Sequence, residues 1–468
     1  MSQVSDAEQT VRPPRQLHEL FGFRQACACG RVHQVDLQGA VVGPGAIEQV
    51  VDWVASLGRG LSLAMVVDAR TWQVAGQRVQ ALLEADGHSA RICTLADGAG
   101  GRPHADEKTL GVVRQALTGC DLALAVGSGT INDLTKLASF QLQLPYLAVA
   151  TAPSMNGYTS AIAAIMRDGI KRTVSCHQPL AVIADMDLLV KAPRHLIASG
   201  LADLESKPTS TADFRLAGLL RGDYYCPAPE EVVLSAEARV AEAASAIGRA
   251  DPEAIALLTE ALLLSGISMR LAGTSSPASG GEHLISHHWD MLAPYEGRVE
   301  GWHGHQVGVA TIVTSSLYES LRELDPSSID PDAIIAGRKP KEQLRRELRL
   351  RHGPLADLVE PEFFAKHLDD EALRAELEQI RDGWDALWQK LDTVLRPAAR
   401  VREILKAVGA PTRMSELQLS DEHLRRSFLE AREIRGRFTV LDLAADLGLL
   451  ERLAPEVLAR AACMSEGA

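Results

Sequence analysis

The sequence predicts an α/β domain with a parallel sheet, followed by an all-helical domain. Short apolar runs alternate with helical stretches from residue 40 to about 192. Beyond that point strand-like runs nearly vanish, and long Ala/Leu/Glu/Arg stretches take over. A length of 468 residues suits two or three domains, at about 150 residues each. The boundaries read from these changes are an irregular segment over 1–38, the α/β domain over 39–192 and the helical domain with a C-terminal extension over 193–468.

Within the first domain, 46–57 has the spacing of an amphipathic helix. LSLAMVVD (61–68) is a short apolar run ending in a carboxylate, hence a buried strand. Residues 72–85 read as helix, ARICTL (90–95) as a second strand, and 107–118 as a helix closed by Gly119. DLALAVGSGT (121–130) is a strand running into a glycine-rich turn; helix 131–140 and strand PYLAVAT (145–151) follow. Strands alternating with helices imply a parallel sheet covered on both faces. Helices are expected over 193–206, 229–247, 251–272, 283–293, 304–323, 341–350, 371–392 and 396–408. Residues 324–369, with several Pro and Gly, are expected to be largely irregular.

Composition excludes several classes. Apolar residues are 46 % and charged residues 23 %, an ordinary globular mixture. With 61 acidic against 48 basic residues the net charge is −13, so no general basic footprint for nucleic acid exists. Aromatics at 4 % give no base-stacking platform. No uninterrupted apolar run approaches the ~20 residues that span a bilayer, and MSQVSDAEQTVRPPRQ lacks the apolar core of a signal peptide. The seven cysteines, at 27, 29, 93, 120, 176, 226 and 463, are too scattered for a disulfide framework. A soluble cytoplasmic protein without membrane insertion is expected.

CACGRVH places Cys27, Cys29 and His33 close together. They are soft enough for zinc, but no fourth ligand lies nearby, and a surface hairpin with reduced thiols is the favoured reading.

The turn Gly127-Ser128-Gly129-Thr130 stands between a predicted strand and a predicted helix. Glycines there let backbone N–H groups approach an anion, and a helix start adds a favourable dipole. The third Gly of the usual dinucleotide fingerprint is replaced by Asn132. Asp68 ends an earlier strand, where a carboxylate can take both ribose hydroxyls of an adenosine or cap the next helix.

Five of the fourteen histidines lie within 283–305: His283, His287, His288, His303 and His305. The spacing of four between His283 and His287 puts them on one helix face. Imidazoles from two helices can form two legs of a divalent-metal site, with a carboxylate as the third. Asp203 in SGLADLESKP is the candidate carboxylate. Lys207, one turn on, either pairs with it or orients an anionic or carbonyl substrate.

GSGTINDLTK (127–136), TAPSMNGYTS (151–160), SGLADLESKPTSTADF (199–214), GTSSPASGGEHLISH (273–287) and WHGHQVGVAT (302–311) together resemble the dehydroquinate-synthase-like superfamily. Within it the chain resembles the sn-glycerol-1-phosphate dehydrogenase family, its bacterial members in particular. The resemblance implies a Rossmann-like nucleotide-binding domain, a helical metal-binding domain and a site in the cleft between them. It puts the metal ligands at Asp203, His283 and His303. Cofactor positions fall on Asp68, Gly127, Ser128, Gly129, Thr130, Asp133, Thr151, Ser154 and Ser160. Lys207 and His287 fall at catalytic or substrate-facing places, and Asn156 in the substrate region. The chain departs from related enzymes where Asn156 replaces Asp, Ser276 replaces Arg and His305 replaces Glu. It is longer than typical members, and the extra length is expected beyond residue 320.

The implied chemistry is reversible hydride transfer between NAD(H) or NADP(H) and a secondary alcohol, assisted by one divalent metal. Zinc comes first; nickel and iron(II) suit the same ligands. Dihydroxyacetone phosphate and sn-glycerol 1-phosphate are the expected substrate pair, with a homo-oligomer expected. Asp68 is expected to favour NADH by repelling a 2′-phosphate, unless Arg70 offsets it. The alternatives are a sugar-phosphate cyclase that uses NAD transiently, and a regulator that binds metal and nucleotide without turnover.

Overall fold

The computed structural model describes residue 10 and residues 12–464. Residues 1–9 and 11, part of the stretch read above for a leader, and residues 465–468 lie outside the described residues. The chain divides into two compact units. Unit 1 is Met1–Leu204, Cys226–Ser275 and Ala407–Ala410; unit 2 is Glu205–Tyr225, Ser276–Lys406 and Pro411–Ala468. The boundary read at 192/193 marks where strands give way to helices. The units gather residues by contact, so helices Arg194–Leu204, Pro227–Glu242 and Pro252–Ala272 group with the sheet.

Unit 1 opens with an antiparallel hairpin of β1 (Arg24–Ala26) and β2 (Val32–Gln34). The hairpin expected over 27–33 therefore forms, but it does not lie loose on the surface: Cys27 and His33 are buried. The main sheet comprises β3 (Gly39–Gly43), β4 (Leu63–Asp68), β5 (Ala90–Leu95), β6 (Leu122–Gly127) and β7 (Tyr146–Ala150), with β10 (Ala181–Asp185) later in the chain. The strand order is β3–β10–β7–β6–β4–β5, and every pairing is parallel. Four of these strands match the expected ones closely; β3 and β10 were not anticipated.

Every residue of β4, β6, β7 and β10 is buried, as continuous apolar strands in a sheet covered on both faces must be. Alternate positions Leu63, Met65, Val67, Leu124, Val126 and Ile183 form one face, packed with Val50, Val54, Val79 and Leu83. Burying each such side chain contributes about 1.5–3 kcal/mol. A separate antiparallel pair, β8 (Ile162–Arg167) and β9 (Ile170–Ser175), closes on Asp168 and Gly169 with φ 53° and 77°. Two left-handed residues are what the favoured two-residue hairpin turn requires.

Helix Pro252–Ala272 is long and apolar enough to cross a membrane by length and composition, with mean hydropathy 1.6. Yet 78 % of that window is buried, and the helix packs along Pro227–Glu242 as the core helix of unit 1. Gly248 admits the 407–410 segment: a Cβ there would stand 2.6 Å from the Ala407 carbonyl oxygen.

Unit 2 is helical. Its elements include Lys207–Arg221, Gly281–Leu292 and His303–Arg322. Residues 324–369 are not largely irregular. They carry helices Pro331–Ala336, Lys341–His352 and Ala356–Ala365. Proline at a helix start costs no intrahelical hydrogen bond, so Pro331 begins a helix where it was read as a break. The C-terminal helices Asp421–Glu430, Val440–Asp446 and Leu450–Ala461 complete the unit, the last packing against His303–Arg322.

Helix Arg194–Leu204 reaches its place through Gly200. A Cβ at that position would overlap the Pro153 carbonyl, so the helix bearing Asp203 lies directly on the backbone of the 151–160 motif. Gly200→Ala should cost about 3 kcal/mol through forced separation of the two, measurable as a lower midpoint in denaturant unfolding.

Candidate functional site

The nucleotide end is set by sheet topology. β5 lies beyond β4 on one side, whereas β6 and β7 lie on the other, so the order reverses between the adjacent strands β4 and β6. Open α/β sheets bind ligands outside the carboxyl ends of their strands at such a switch point. Asp68 is the last residue of β4 and Gly127 the last of β6. Helix Gly129–Gln141 starts directly after, and its N-cap, Ser128, makes no side-chain capping bond. The helix start therefore keeps its donor character toward an anion. Gly127 is needed for packing, since a Cβ there would lie 2.5 Å from Ile131 Cδ1.

Asp68 is an N-cap. Its Oδ1 accepts from the backbone N–H of Arg70 at 2.9 Å and of Thr71 at 2.8 Å, while Thr71 Oγ1 accepts from Asp68 N–H at 2.9 Å. Its Oδ2 pairs with the Arg70 guanidinium at 3.2 Å, and Arg70 reaches Asp97 at 2.6 Å. The end of β4 thus presents a carboxylate and a cation together.

The remaining predicted cofactor residues surround the same motif. Thr151 follows β7 and donates its N–H to the Gly127 carbonyl at 3.2 Å. The Ser154 carbonyl accepts from Ser199 Oγ at 3.3 Å. Asp133 Oδ2 accepts from Ala164 N–H of β8 at 3.0 Å, and Ser160 Oγ lies 3.1 Å from Lys136 Nζ. Lys136 escaped the sequence reading. Its wholly buried ammonium donates to the carbonyls of Gly157 at 2.5 Å and Ile162 at 2.9 Å, and burial pushes its pKa below the usual lysine range. The signal was a lysine one turn after Asp133 in GSGTINDLTK, the two side chains 3.5 Å apart.

Asn156 and Asp203 meet within unit 1. Asn156 N–H donates to Asp203 Oδ2 at 3.2 Å, and Nδ2 donates to Asp203 Oδ1 at 3.4 Å and to Ser265 Oγ at 3.3 Å. An aspartate at 156 would oppose one carboxylate with another; asparagine instead supplies N–H donors to Asp203.

Unit 2 gathers the histidines. His283 and His287 share helix Gly281–Leu292, and His303 begins the next helix. The ring centroids of His283 and His303 are 5.2 Å apart, and His287 stacks on His303 at 5.6 Å. His283 Nδ1 lies 2.9 Å from Glu282 Oε1, which also accepts from Gly280 N–H at 2.7 Å. Glu282 is fully buried, which favours its neutral form. The hydrogen bonds from His283 and the Gly280 N–H outweigh this and hold it below the usual carboxylate range. With Nδ1 committed to an acceptor, the His283 lone pair sits on Nε2, the arrangement metal-ligating imidazoles use. His287, Asp290 and His303 offer ligand atoms within 4.8 Å of one another. The donor chemistry of this cluster therefore fits a divalent cation.

His288 belongs elsewhere, with Nδ1 2.8 Å from Ser427 Oγ. Lys207 is wholly buried, and its ammonium donates to Ser206 Oγ and the Ala278 carbonyl, both at 3.0 Å.

Residues 41–193 match the iron-containing alcohol dehydrogenase family. Among solved structures, glycerol dehydrogenase from Schizosaccharomyces pombe has a TM-score of 0.56 at 16 % identity, covering 92 % of this chain and 95 % of its own. Maleylacetate reductase from Agrobacterium tumefaciens gives 0.56 at 17 %, covering 91 % and 98 %. The glycerol-1-phosphate dehydrogenase (NAD(P)+) of Halalkalibacterium halodurans is 33 % identical over 417 residues, covering 89 % of this chain and 94 % of its own. That of Bacillus licheniformis is 30 % identical, covering 92 % and 94 %. The chain belongs to the glycerol-1-phosphate dehydrogenase family. A match over 417 residues necessarily runs past residue 320, so the C-terminal part is not an addition peculiar to this chain.

Glu282→Gln should lower divalent-metal affinity 10–100-fold by weakening the acceptor behind His283. Isothermal titration of the metal-free protein with zinc would measure it.

Proposed function

We propose that this protein is an NAD(P)-dependent dehydrogenase that interconverts dihydroxyacetone phosphate and sn-glycerol 1-phosphate. The observation that carries the reading is the placement of Asp68 and the 127–130 turn at the carboxyl ends of two adjacent strands where the sheet order reverses. The names of the relatives supply glycerol 1-phosphate and NAD(P)+, and oxidation of its secondary alcohol gives dihydroxyacetone phosphate. None of them points to a cyclase.

In this reading Gly127, Ser128, Gly129 and Thr130 receive the pyrophosphate at the start of helix Gly129–Gln141, and Asp68 takes the adenosine ribose. Thr151 and Ser154 line the way from that turn. Asp133 and Ser160, with Lys136, keep the 157–162 backbone in position. Asp203, His283 and His303 hold one divalent cation, with zinc first and nickel or iron(II) as the other candidates. When bound, the metal supplies Lewis-acid polarisation of the substrate oxygen. Asn156 keeps Asp203 oriented. Lys207 contributes the positive charge that an anionic substrate requires in an acidic chain, and His287 passes the alcohol proton toward solvent. A soluble, cytoplasmic homo-oligomer completes the reading.

Absorbance of the nicotinamide band with dihydroxyacetone phosphate, against free dihydroxyacetone and larger keto-phosphates, tests the substrate. Faster turnover of an unphosphorylated ketone would overturn it. His303→Ala should abolish activity and lower the bound divalent metal by one equivalent per chain, read by elemental analysis beside a circular-dichroism check of the fold.

Coenzyme choice rests on the Asp68–Arg70 pair. Arg70, shared between Asp68 and Asp97, places a cation beside Asp68, so both coenzymes should be accepted. Arg70→Ala should cut kcat/KM for NADPH about tenfold relative to NADH, the loss of one charge-assisted hydrogen bond.

A further inference from the structure

A second cluster with metal-ligand chemistry lies in unit 1, outside every residue assigned above. Cys27, Cys29 and His33 stand on the β1–β2 hairpin, and Cys226 immediately precedes helix Pro227–Glu242. The hairpin turns tightly. Cys27 N–H donates to the Arg31 carbonyl and Gly30 N–H to the Cys27 carbonyl, both at 3.0 Å, with Gly30 at φ 82°.

The four ligand atoms all lie within 4.8 Å of one another. Cys27 Sγ and Cys226 Sγ are 3.8 Å apart, and His33 Nε2 is 3.4 Å from both Cys29 Sγ and Cys226 Sγ. Tetrahedral zinc with bonds of about 2.3 Å to sulfur and about 2.0–2.1 Å to nitrogen has edges of roughly 3.8 Å between sulfurs and roughly 3.5 Å between sulfur and nitrogen. The observed separations are the edges of that tetrahedron.

Three further features fit. None of the seven cysteines forms a disulfide. His33 Nδ1 lies 2.8 Å from the Leu271 carbonyl, which can only accept. The ring proton therefore sits on Nδ1, and the lone pair of Nε2 turns toward the sulfurs. Three of the four ligands are also secluded: His33 is 0 %, Cys226 1 % and Cys27 4 % exposed, while Cys29 is half-buried. A hairpin, a helix start and the end of helix Pro252–Ala272 thus converge on one point.

We propose that Cys27, Cys29, His33 and Cys226 bind one structural zinc ion in a closed site of three sulfurs and one nitrogen. With four protein ligands no position is open for substrate, so the site fastens the N-terminal hairpin to the helices of unit 1. Thiolate ligands select zinc over magnesium or calcium, and binding releases the thiol protons to solvent.

The test uses the full chain carrying His303→Ala, so that the unit 2 cluster does not contribute. Loaded with cobalt(II), it should bind one equivalent and show sulfur-to-cobalt charge-transfer absorption. Adding Cys27→Ser and Cys226→Ser should remove both the band and the equivalent. Should that variant fail to fold, a mercurial thiol reagent added to the zinc-loaded natural chain should release one zinc per chain. Cobalt bound without sulfur charge transfer, no zinc released by the mercurial, or a Cys27–Cys226 disulfide in freshly purified protein would each overturn the proposal.

Discussion

Unit 2 is organised around one buried carboxylate. Asp213 Oδ1 accepts from Tyr318 O–H at 2.5 Å and from Val440 N–H at 2.7 Å, and Oδ2 accepts from Gly281 N–H at 2.7 Å. It therefore joins the helix that carries it to the starts of Gly281–Leu292 and Val440–Asp446 and to the middle of His303–Arg322. A buried carboxylate is tolerated when donors fill its lone pairs. Burial, and then the charge of Glu282, push Asp213 up to about 7. The histidine-bearing helix is thus held at its first turn by an acceptor, and the same acceptor fixes the C-terminal segment. Residues beyond 411 are part of the frame that aims His283 and His303, not an appendage to it.

Unit 1 solves the same positioning problem with small residues and one lysine. Gly200 brings Asp203 onto the backbone of the 151–160 motif. Gly266 does likewise for helix Pro252–Ala272, where a Cβ would stand 2.8 Å from the Asn156 carbonyl oxygen. Lys136 then draws the Gly157 and Ile162 carbonyls toward a single ammonium. Close backbone approach and a buried cation leave the 156–162 stretch few alternative conformations, which suits a segment that orients Asp203 through Asn156.

Much of this was legible in the sequence because it is local. Strand-length apolar runs ending in Asp68 and Gly127 announced β4 and β6, and glycine spacing announced the turn. The β8–β9 hairpin was missed although Asp168-Gly169 between two branched-residue runs is a turn signal. β3 and β10 were missed because GAVVG and AVIAD are short and flanked by turn residues. The helix expected over 341–350 forms as Lys341–His352, whereas Pro331–Ala336 was hidden by the proline that starts it and Ala356–Ala365 by Pro361 within it. Other features are tertiary and leave no local trace. The fourth soft ligand beside His33 stands 193 residues away, and the role of Asp213 depends on partners drawn from three separate helices. Asp68 was legible as a carboxylate at a strand end, but its engagement as a cap with Arg70 was settled by geometry alone.

The interleaving of the two units has a consequence for synthesis. Unit 1 is assembled from three separate stretches of chain, the last being Ala407–Ala410, seated where Gly248 leaves room for the Ala407 carbonyl. A ribosome adding about 5–20 residues per second completes the sheet long before it delivers that closing segment. For some tens of seconds at the slower rate, the place beside Gly248 waits for its occupant, while helix Pro252–Ala272 already has the helix Pro227–Glu242 to pack along. The order in which the polypeptide emerges therefore makes the last stretch of unit 1 a late arrival, set in place only after most of the chain has been made.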